Sequence, residues 1–303
     1  MMKFVDIQFA RMIYKRGDNV TEYLRKKFKE RENTSYIIET AYDLQAGTYI
    51  KFANSNSKKI NLYTKEMSKI LDNHLIDHTS LLDVGTGELT ILTHLLNNIK
   101  KQPSKVLAFD LSYSRLTEGK KYISKHLKNK KTKLDIFCAD IKNIPLHSKC
   151  VDVIISNHAL EPNGKNLPNL LMELFRVAKK KIILFEPAYE LADSKGKKRM
   201  NRLGYIKNIS LNVKKLGAEL IDFIPIKNTF TKSNPTACYI IKPPKMNIKN
   251  QKDIIFTAPG TNFLLKKKFG FYLCEALGLA FPVFKTIPFL RNSNRLIVSA
   301  AIK

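Results

Sequence analysis

The sequence lacks closely spaced cysteines and long apolar runs, and each absence argues against a class of protein. Its four cysteines, at 138, 150, 238 and 274 in a chain of 303 residues, form no CxxC pair. This spacing argues against a disulfide framework and against a cysteine-built metal site. No stretch reaches the roughly 18 consecutive apolar residues of a membrane span, and the N-terminal residues lack the features of a secretory signal. We expect a cytoplasmic protein without a membrane span or a metal.

Acidic residues are also scarce relative to basic ones. Lys and Arg total 53 against 26 Asp and Glu, a formal net charge of +27. Such a charge can mark a nucleic-acid or other anionic partner. Most of these cations are Lys spread along the chain, whereas a surface selected for bidentate phosphate contacts would use Arg. We therefore expect most of these basic side chains to lie on solvent-exposed faces, and a nucleic-acid partner remains an alternative.

Three segments differ in their pattern of apolar residues. Residues 1–78 are charged and helical in pattern, which predicts a helical cap or lid. Residues 79–242 alternate short apolar runs with helical stretches, as in an α/β protein whose parallel sheet is covered on both faces. Residues 243–303 follow the stiff break PPK and predict a small strand-rich module.

Seven apolar runs predict the strands of the central sheet. In chain order they are SLLDV, KVLAFD, KLDIFCAD, VDVIISN, KIILFE, AELIDFIPI and ACYIIK. Only a loop joins the last two, which is consistent with an antiparallel hairpin at the sheet edge. The predicted strands of the tail are DIIFTAPGT, FLLKKKFGFYLC, LGLAFPVF, TIPFL and RLIVSA.

A glycine turn follows the first strand, in LLDVGTGELT at residues 81–90. Gly85 and Gly87 would let the backbone approach a ligand where a Cβ would collide. The helix that begins there offers unpaired N–H groups. A dinucleotide fingerprint wants a third glycine at position 90, where this chain has Thr90. A hydride-transfer enzyme is therefore disfavoured.

Carboxylates end three successive strands of the predicted sheet. Asp83, Asp110 and Asp140 would lie at the edge where ligands bind in open α/β sheets. From such positions a carboxylate can accept ribose hydroxyls or meet an adenine amino group. Each alone could equally be a helix cap or an exposed strand end. Together they indicate a nucleoside site.

These residues resemble those of the class I S-adenosylmethionine-dependent methyltransferases. The resemblance covers about 80–242 and rests on DVGTGEL, on Asp110 and Asp140, and on VDVIISNHALEP and LLMELFRVAKKKIILFEP. It implies a Rossmann-like seven-stranded sheet with a reversed last strand, and S-adenosyl-L-methionine as cofactor. The chain departs from the family at Leu89, where many members have a third glycine, and at the lysines 179–181, which replace a Pro-Gly-Gly turn.

The resemblance also implies roles for individual residues around the cofactor. The glycines would line its methionine portion, Asp83 its amino group and Asp110 its ribose, and Asn157 would lie near the sulfonium. The implied cofactor residues are Asp83, Gly85, Thr86, Gly87, Asp110, Leu111, Asp140, Ile141 and Asn157.

The loop after the fourth strand carries the candidate catalytic residues. His158 is a candidate general base for a hydroxyl acceptor, and Glu161 could share that task or orient the acceptor. Alternatively, the imidazole only stacks on the cofactor or caps a helix. Two other segments, 39–53 and 186–207, are candidate walls of the acceptor site. Their candidate rim residues are Tyr42, Tyr49, Glu186 and Tyr189.

The tail sequence FGFYLCEALGLAFPVFKTIPFL resembles part of a zinc-ribbon family that activates tRNA and protein methyltransferases. Only Cys274 remains of that family's expected ligands. A structural zinc normally takes four protein ligands, so we expect the module to hold no zinc.

Methyl transfer from S-adenosylmethionine is the function predicted from these observations. We expect a small-molecule or carbohydrate acceptor. The loop lacks the Asn/Asp-Pro-Pro-aromatic tetrad of adenine amino-group methylators. An RNA methyltransferase, and a non-catalytic cofactor- or nucleic-acid-binding protein on the same scaffold, are the alternatives.

Overall fold

The N-terminal segment folds into helices. The computed structural model describes residues 5–231 and 233–300, so the ends of the predicted cap and tail, 1–4 and 301–303, lie outside the described residues. The side chains of Asp6, Asn19 and Thr34 each accept a backbone N–H and begin the first three helices. The helices before the first strand are α1 (Ile7–Lys15), α2 (Val20–Phe28), α3 (Ser35–Asp43), α4 (Thr48–Ser55) and α5 (Ser57–Asp72).

A seven-stranded sheet forms the centre of the molecule. Its strands are β1 (Ser80–Val84), β2 (Lys105–Asp110), β3 (Leu134–Cys138), β4 (Val151–Asn157), β5 (Ala178–Pro187), β6 (Glu219–Pro225) and β7 (Thr236–Lys242). Their order in the sheet is β3-β2-β1-β4-β5-β7-β6. β1 to β5 are parallel, and β7 runs antiparallel to both of its neighbours. The predicted sheet with its reversed last strand is confirmed.

Helices cover both faces of this sheet, which explains why its strands are continuously apolar. The helices between strands are α6 (Thr90–Asn98), α7 (Tyr113–His126), α8 (Leu167–Val177), α9 (Ser194–Leu203) and α10 (Ile209–Lys215). Successive residues of β1 point to opposite faces: Leu82 packs in the core under α8 and α10, and Leu81 in the core under α5 and α6. The carboxyl ends of β1, β2 and β4 therefore lie at one edge, beside the N-terminal helices.

The tail forms a small antiparallel sheet that shares the core of the central sheet. Leu290 lies in that core, and its N–H donates to the carbonyl of Cys138 at 2.8 Å. The strands of this second sheet are β8 (Lys266–Lys268), β9 (Phe271–Cys274), β10 (Leu279–Phe284), β11 (Ile287–Pro288) and β12 (Leu296–Ile297).

Two predicted strands of the tail differ from the structure. DIIFTAPGT makes only isolated bridges, Leu146 to Phe256 and Thr257 to Leu264. FLLKKKFGFYLC is not one strand but a hairpin, because Phe269 and Gly270 both have positive φ and close a two-residue turn.

Within the described ranges, none of the helices has the length and apolar content needed to cross a bilayer. The same residues contain no cluster of three or more His, Cys, Asp or Glu side chains placed to hold a metal ion. Cys274 is free and buried in the shared core.

Candidate active site

A cavity of about 580 Å³ lies over the carboxyl ends of β1, β2 and β4. The N-terminal helices and the loops after β4 and β6 complete its wall. A volume of this size is typical of sites that bury a small molecule. The candidate residues on its wall are Tyr42, Tyr49, Asp83, Gly85, Thr86, Gly87, Asp110, Leu111, Ile141, Asn157, His158 and Glu161. Asp140, Glu186 and Tyr189 do not line it.

The glycine turn forms the floor of the cavity and is shaped by close contacts within the protein. Gly85 and Gly87 have φ of +67° and +58°, which a side chain rarely adopts. A Cβ at Gly85 would lie 2.3 Å from the Cβ of Ala159, and one at Gly87 would lie 2.4 Å from Nη2 of Arg115. The glycines thus make room for Ala159 and Arg115, whereas the sequence led us to expect room for a ligand only.

Asp110 joins the end of β2 to the glycine turn. Its Oδ2 accepts the N–H of Gly87 and its Oδ1 accepts the N–H of Ser112, each at 2.9 Å. Because a carboxylate has about four lone-pair sites, about two acceptor positions are not used by these bonds, and Asp110 lines the cavity. Asp110 therefore retains the capacity to accept two hydroxyl groups.

Asp83 lies on the wall of the same cavity and is buried. Its Oδ2 accepts the hydroxyl of Thr86 at 2.6 Å. Burial raises the pKa of Asp83 to about 7; the Thr86 hydrogen bond opposes this shift and the charge of Asp110 adds to it. A cationic group beside Asp83 would favour its ionised form.

Asp140 differs from the other two strand-end carboxylates because it lies in a neighbouring smaller cavity. Its Oδ1 accepts the N–H of Lys142, and Arg291 of the tail lies on the wall of the same small cavity. Leu111 lines both cavities, so they are adjacent. Ile141, which follows Asp140, does reach the large cavity.

Glu88 fastens the N-terminal helices over the cavity, a role that the sequence did not reveal. Its two carboxylate oxygens accept the N–H groups of Gly47 and Ile50, at 3.0 and 2.8 Å. These N–H groups belong to the first turn of α4, whose N-cap Gly47 has no capping side chain. The lack of a capping residue in the sequence signals that some other group must satisfy this helix end.

Arg115 also lines the cavity, and the sequence did not reveal its role there. Its guanidinium is 4.5 Å from the ring centre of Tyr49 and 5.1 Å from that of Tyr42. Its Nη1 is 3.9 Å from Asp110, and its Nε is buried without a hydrogen-bond partner among the described residues. Burial lowers the pKa of Arg115, but Asp110 and the other acidic neighbours outweigh that and raise it.

His158 is held on both of its ring nitrogens. Nδ1 bonds Glu161 and Nε2 bonds Thr236, each at 2.9 Å. Burial lowers the pKa of His158, but the hydrogen bond and charge of Glu161, together with the charge of Glu186, raise it overall. Both nitrogens of the imidazole are therefore occupied by protein groups.

Glu186 supports this loop from beneath instead of forming part of the acceptor rim. It is fully buried, and its Oε1 accepts the hydroxyl of Ser156 and the N–H groups of Ala159 and Leu160. Tyr189 lies outside the cavity and accepts a hydrogen bond from Asn201.

Replacing Glu186 by Gln is expected to flatten the pH dependence of stability. Burial raises the pKa of Glu186 from 4.5 to about 7, partly opposed by His158 and Ser156. Between pH 4.5 and 7 the folded state thus holds a proton that the unfolded state has lost. As the pH rises through this range, the free energy of unfolding therefore falls by up to about 1.4 kcal/mol per pH unit. Urea denaturation of both proteins across that range measures this contribution.

The exposed Glu190→Gln is the matched control and should keep the native slope. If the free energy of unfolding depends on pH in the same way in the native protein and in Glu186→Gln, then Glu186 is ionised in the folded protein throughout this range.

Residues 82–185 match a protein family described as a methyltransferase domain. This part of the chain is a methyltransferase domain. The match spans β1 to β5 and includes the glycine turn, Asp110 and His158. It confirms the class I resemblance drawn from the sequence, and with it S-adenosylmethionine as the cofactor.

The chain is similar to solved structures of methyltransferases. Magnesium protoporphyrin IX methyltransferase from Synechocystis PCC 6803, solved with bound S-adenosylhomocysteine, is 12% identical at a TM-score of 0.51, over 69% of this chain and 99% of that one. A SAM-dependent methyltransferase from Aquifex aeolicus is 20% identical at a TM-score of 0.47, over 65% and 97%. No curated protein matches the chain significantly.

The residues around the methyltransferase domain's glycine turn fit an S-adenosyl nucleoside. Asp110 has open acceptor positions for ribose hydroxyls, and apolar side chains beside it (Leu111 and Ile141) can face a purine ring. Leu89, the departure from the family pattern, is fully buried in the core under α5 and α6, with φ of +56°. It therefore leaves the cavity unobstructed.

Proposed function

We propose that this protein transfers a methyl group from S-adenosylmethionine to a hydroxyl of a small-molecule or carbohydrate acceptor. The observation that carries the proposal is the position of Asp110 and Asp83 on one cavity that the N-terminal helices roof over. A cavity of about 580 Å³ suits a cofactor together with a small acceptor or one terminal group of a larger one.

The cofactor, when bound, supplies an electrophilic methyl group. Asp110 would hold its ribose, Leu111 and Ile141 its adenine, and Asp83 its amino group. Arg115, stacked on Tyr42 and Tyr49, connects this half of the wall to the helical roof. The roof would exclude water and keep the acceptor in line, and positioning of this kind supplies much of the acceleration in a displacement reaction.

Glu161 is the residue that we assign to receive the acceptor's proton. It lies on the cavity wall and hydrogen-bonds the His158 ring, and this bond raises the pKa of His158. Both ring nitrogens of His158 are already hydrogen-bonded, to Glu161 and Thr236, so we assign the base role to the carboxylate beside it. His158 then positions Glu161.

Two measurements test the proposal. Calorimetry is expected to show one S-adenosylmethionine bound per chain, and a coupled assay is expected to detect S-adenosylhomocysteine release with a member of a panel of small hydroxylated compounds and sugars. Absence of heat and of any thermal shift would leave only a non-catalytic protein on this scaffold.

Transfer RNA in the same assay tests the alternative acceptor that the net charge of +27 suggests. Because RNA binding releases counterions, turnover on RNA would fall steeply with log[salt]. Turnover on a small neutral or singly charged acceptor should change little. Salt-sensitive turnover on RNA alone would overturn the small-acceptor half of the proposal.

A further inference from the structure

Beside the loop that follows β4, the residues that line the cavity include buried polar atoms without partners. Among the described residues, Nη1 of Arg199 and the Oδ1 atoms of Asn33 and Asn234 make no hydrogen bond. All three residues line the cavity. A buried polar atom without a partner costs about 1–3 kcal/mol, so a ligand that entered this cavity would gain free energy by pairing with these side chains.

The orientation of each amide is fixed by its other contacts. Nδ2 of Asn33 donates to the carbonyls of Pro162 and Leu203, at 2.8 and 3.4 Å. Nδ2 of Asn234 donates to the Glu161 carboxylate at 3.4 Å. Because all these partners are acceptors, the two unpaired atoms are carbonyl oxygens, which require hydroxyl or amino donors from a ligand.

Arg199, by contrast, has an unpaired hydrogen-bond donor, which requires an acceptor. Within the described residues no carboxylate lies within ion-pair distance of it; its guanidinium instead lies 5.5 Å from the ring centre of Tyr205. Tyr205 lies between Arg199 and Glu161, and burial raises the pKa of its hydroxyl. A guanidinium with an unpaired, buried nitrogen is suited to a carboxylate.

We infer that the methyl acceptor is a hydroxylated carboxylic acid whose carboxylate pairs with Arg199 and whose hydroxyls donate to Asn33 and Asn234. This inference rests on the proposed function and narrows its acceptor. Glu161 lies next to both Asn234 and Tyr205, so a hydroxyl anchored there would be close to the assigned proton acceptor.

The test uses calorimetry on protein saturated with S-adenosylhomocysteine. D-glucuronate is compared with D-glucose, and 3,4-dihydroxybenzoate with 3,4-dihydroxybenzamide, so that each acid has a neutral partner. At least one acid is expected to bind tenfold or more tightly than its partner, and the pair that responds distinguishes a sugar from an aromatic scaffold. Binding of neither acid, or equal binding within both pairs, would overturn the inference.

Arg199→Gln is expected to abolish the preference for the acid while leaving the affinity for S-adenosylhomocysteine unchanged. Arg202→Gln, an exposed arginine on the same helix α9, is the matched control and should keep the preference. A preference that survives in Arg199→Gln would contradict the role of Arg199. If S-adenosylhomocysteine fails to bind the native protein, the proposed function itself fails; if it binds and no acid is preferred, only the inference fails.

Discussion

Replacing Asp110 by Asn is expected to weaken S-adenosylhomocysteine binding more than tenfold, or about 1.4 kcal/mol. The carboxylate already accepts N–H groups from Gly87 and Ser112, and in our account it accepts ribose hydroxyls as well. The amide of Asn has only one acceptor oxygen, so it cannot accept both the two N–H groups and the ribose hydroxyls. Calorimetry with the native and variant proteins measures the loss.

A matched ligand pair separates this loss from damage to the glycine turn. Native protein should bind adenosine more tightly than 2′,3′-dideoxyadenosine, and Asp110→Asn should bind the two equally. Asp140→Asn is the control variant, because Asp140 faces the neighbouring cavity. An unchanged dissociation constant for Asp110→Asn, or a preference for the hydroxylated nucleoside that persists in it, would remove the ribose role.

Replacing Gly85 by Ala is expected to lower the free energy of unfolding by about 2–5 kcal/mol. At φ of +67° a non-glycine residue costs roughly 1–2 kcal/mol. The added Cβ would also lie 2.3 Å from the Cβ of Ala159, and overpacking of this kind adds about 1–3 kcal/mol. Chemical denaturation with a two-state fit gives the difference.

Gly217→Ala is the matched control, because Gly217 has φ of +76° and a Cβ there would meet nothing within 4 Å. Gly217→Ala should lose only the roughly 1–2 kcal/mol that the positive φ costs a non-glycine residue. Adding Ala159→Gly to Gly85→Ala should restore the stability that is lost through the contact with the Ala159 side chain. Equal losses for Gly85→Ala and Gly217→Ala would mean that the contact with Ala159 does not constrain the turn.

The sheet could be predicted from the sequence because burial on both faces makes its strands continuously apolar. Crossover helices between the strands predict that the strands are parallel and that their carboxyl ends lie at one edge of the sheet. Asp83 and Asp110 line one cavity for that reason. Asp140 also follows a strand of this sheet, but it lies in the neighbouring cavity, after a turn that is closed by a bridge from Asp140 to Asn143.

Other features depend on contacts between segments far apart in sequence. Glu88 caps a helix some forty residues earlier in the chain, and Arg115 contacts Tyr42 and Tyr49, which come about seventy residues before it. Glu186 carries the charge expected of a rim residue, but β5 is buried to its end. No local pattern of residues encodes any of these contacts.

A crystal structure with S-adenosylhomocysteine bound tests the central claim most directly, that the cavity over the glycine turn is a nucleoside site. We expect the ribose hydroxyls within hydrogen-bond distance of the Asp110 carboxylate and the adenine between Leu111 and Ile141. A nucleoside bound elsewhere, or a cavity that stays without ligand at saturating concentration, would contradict the account.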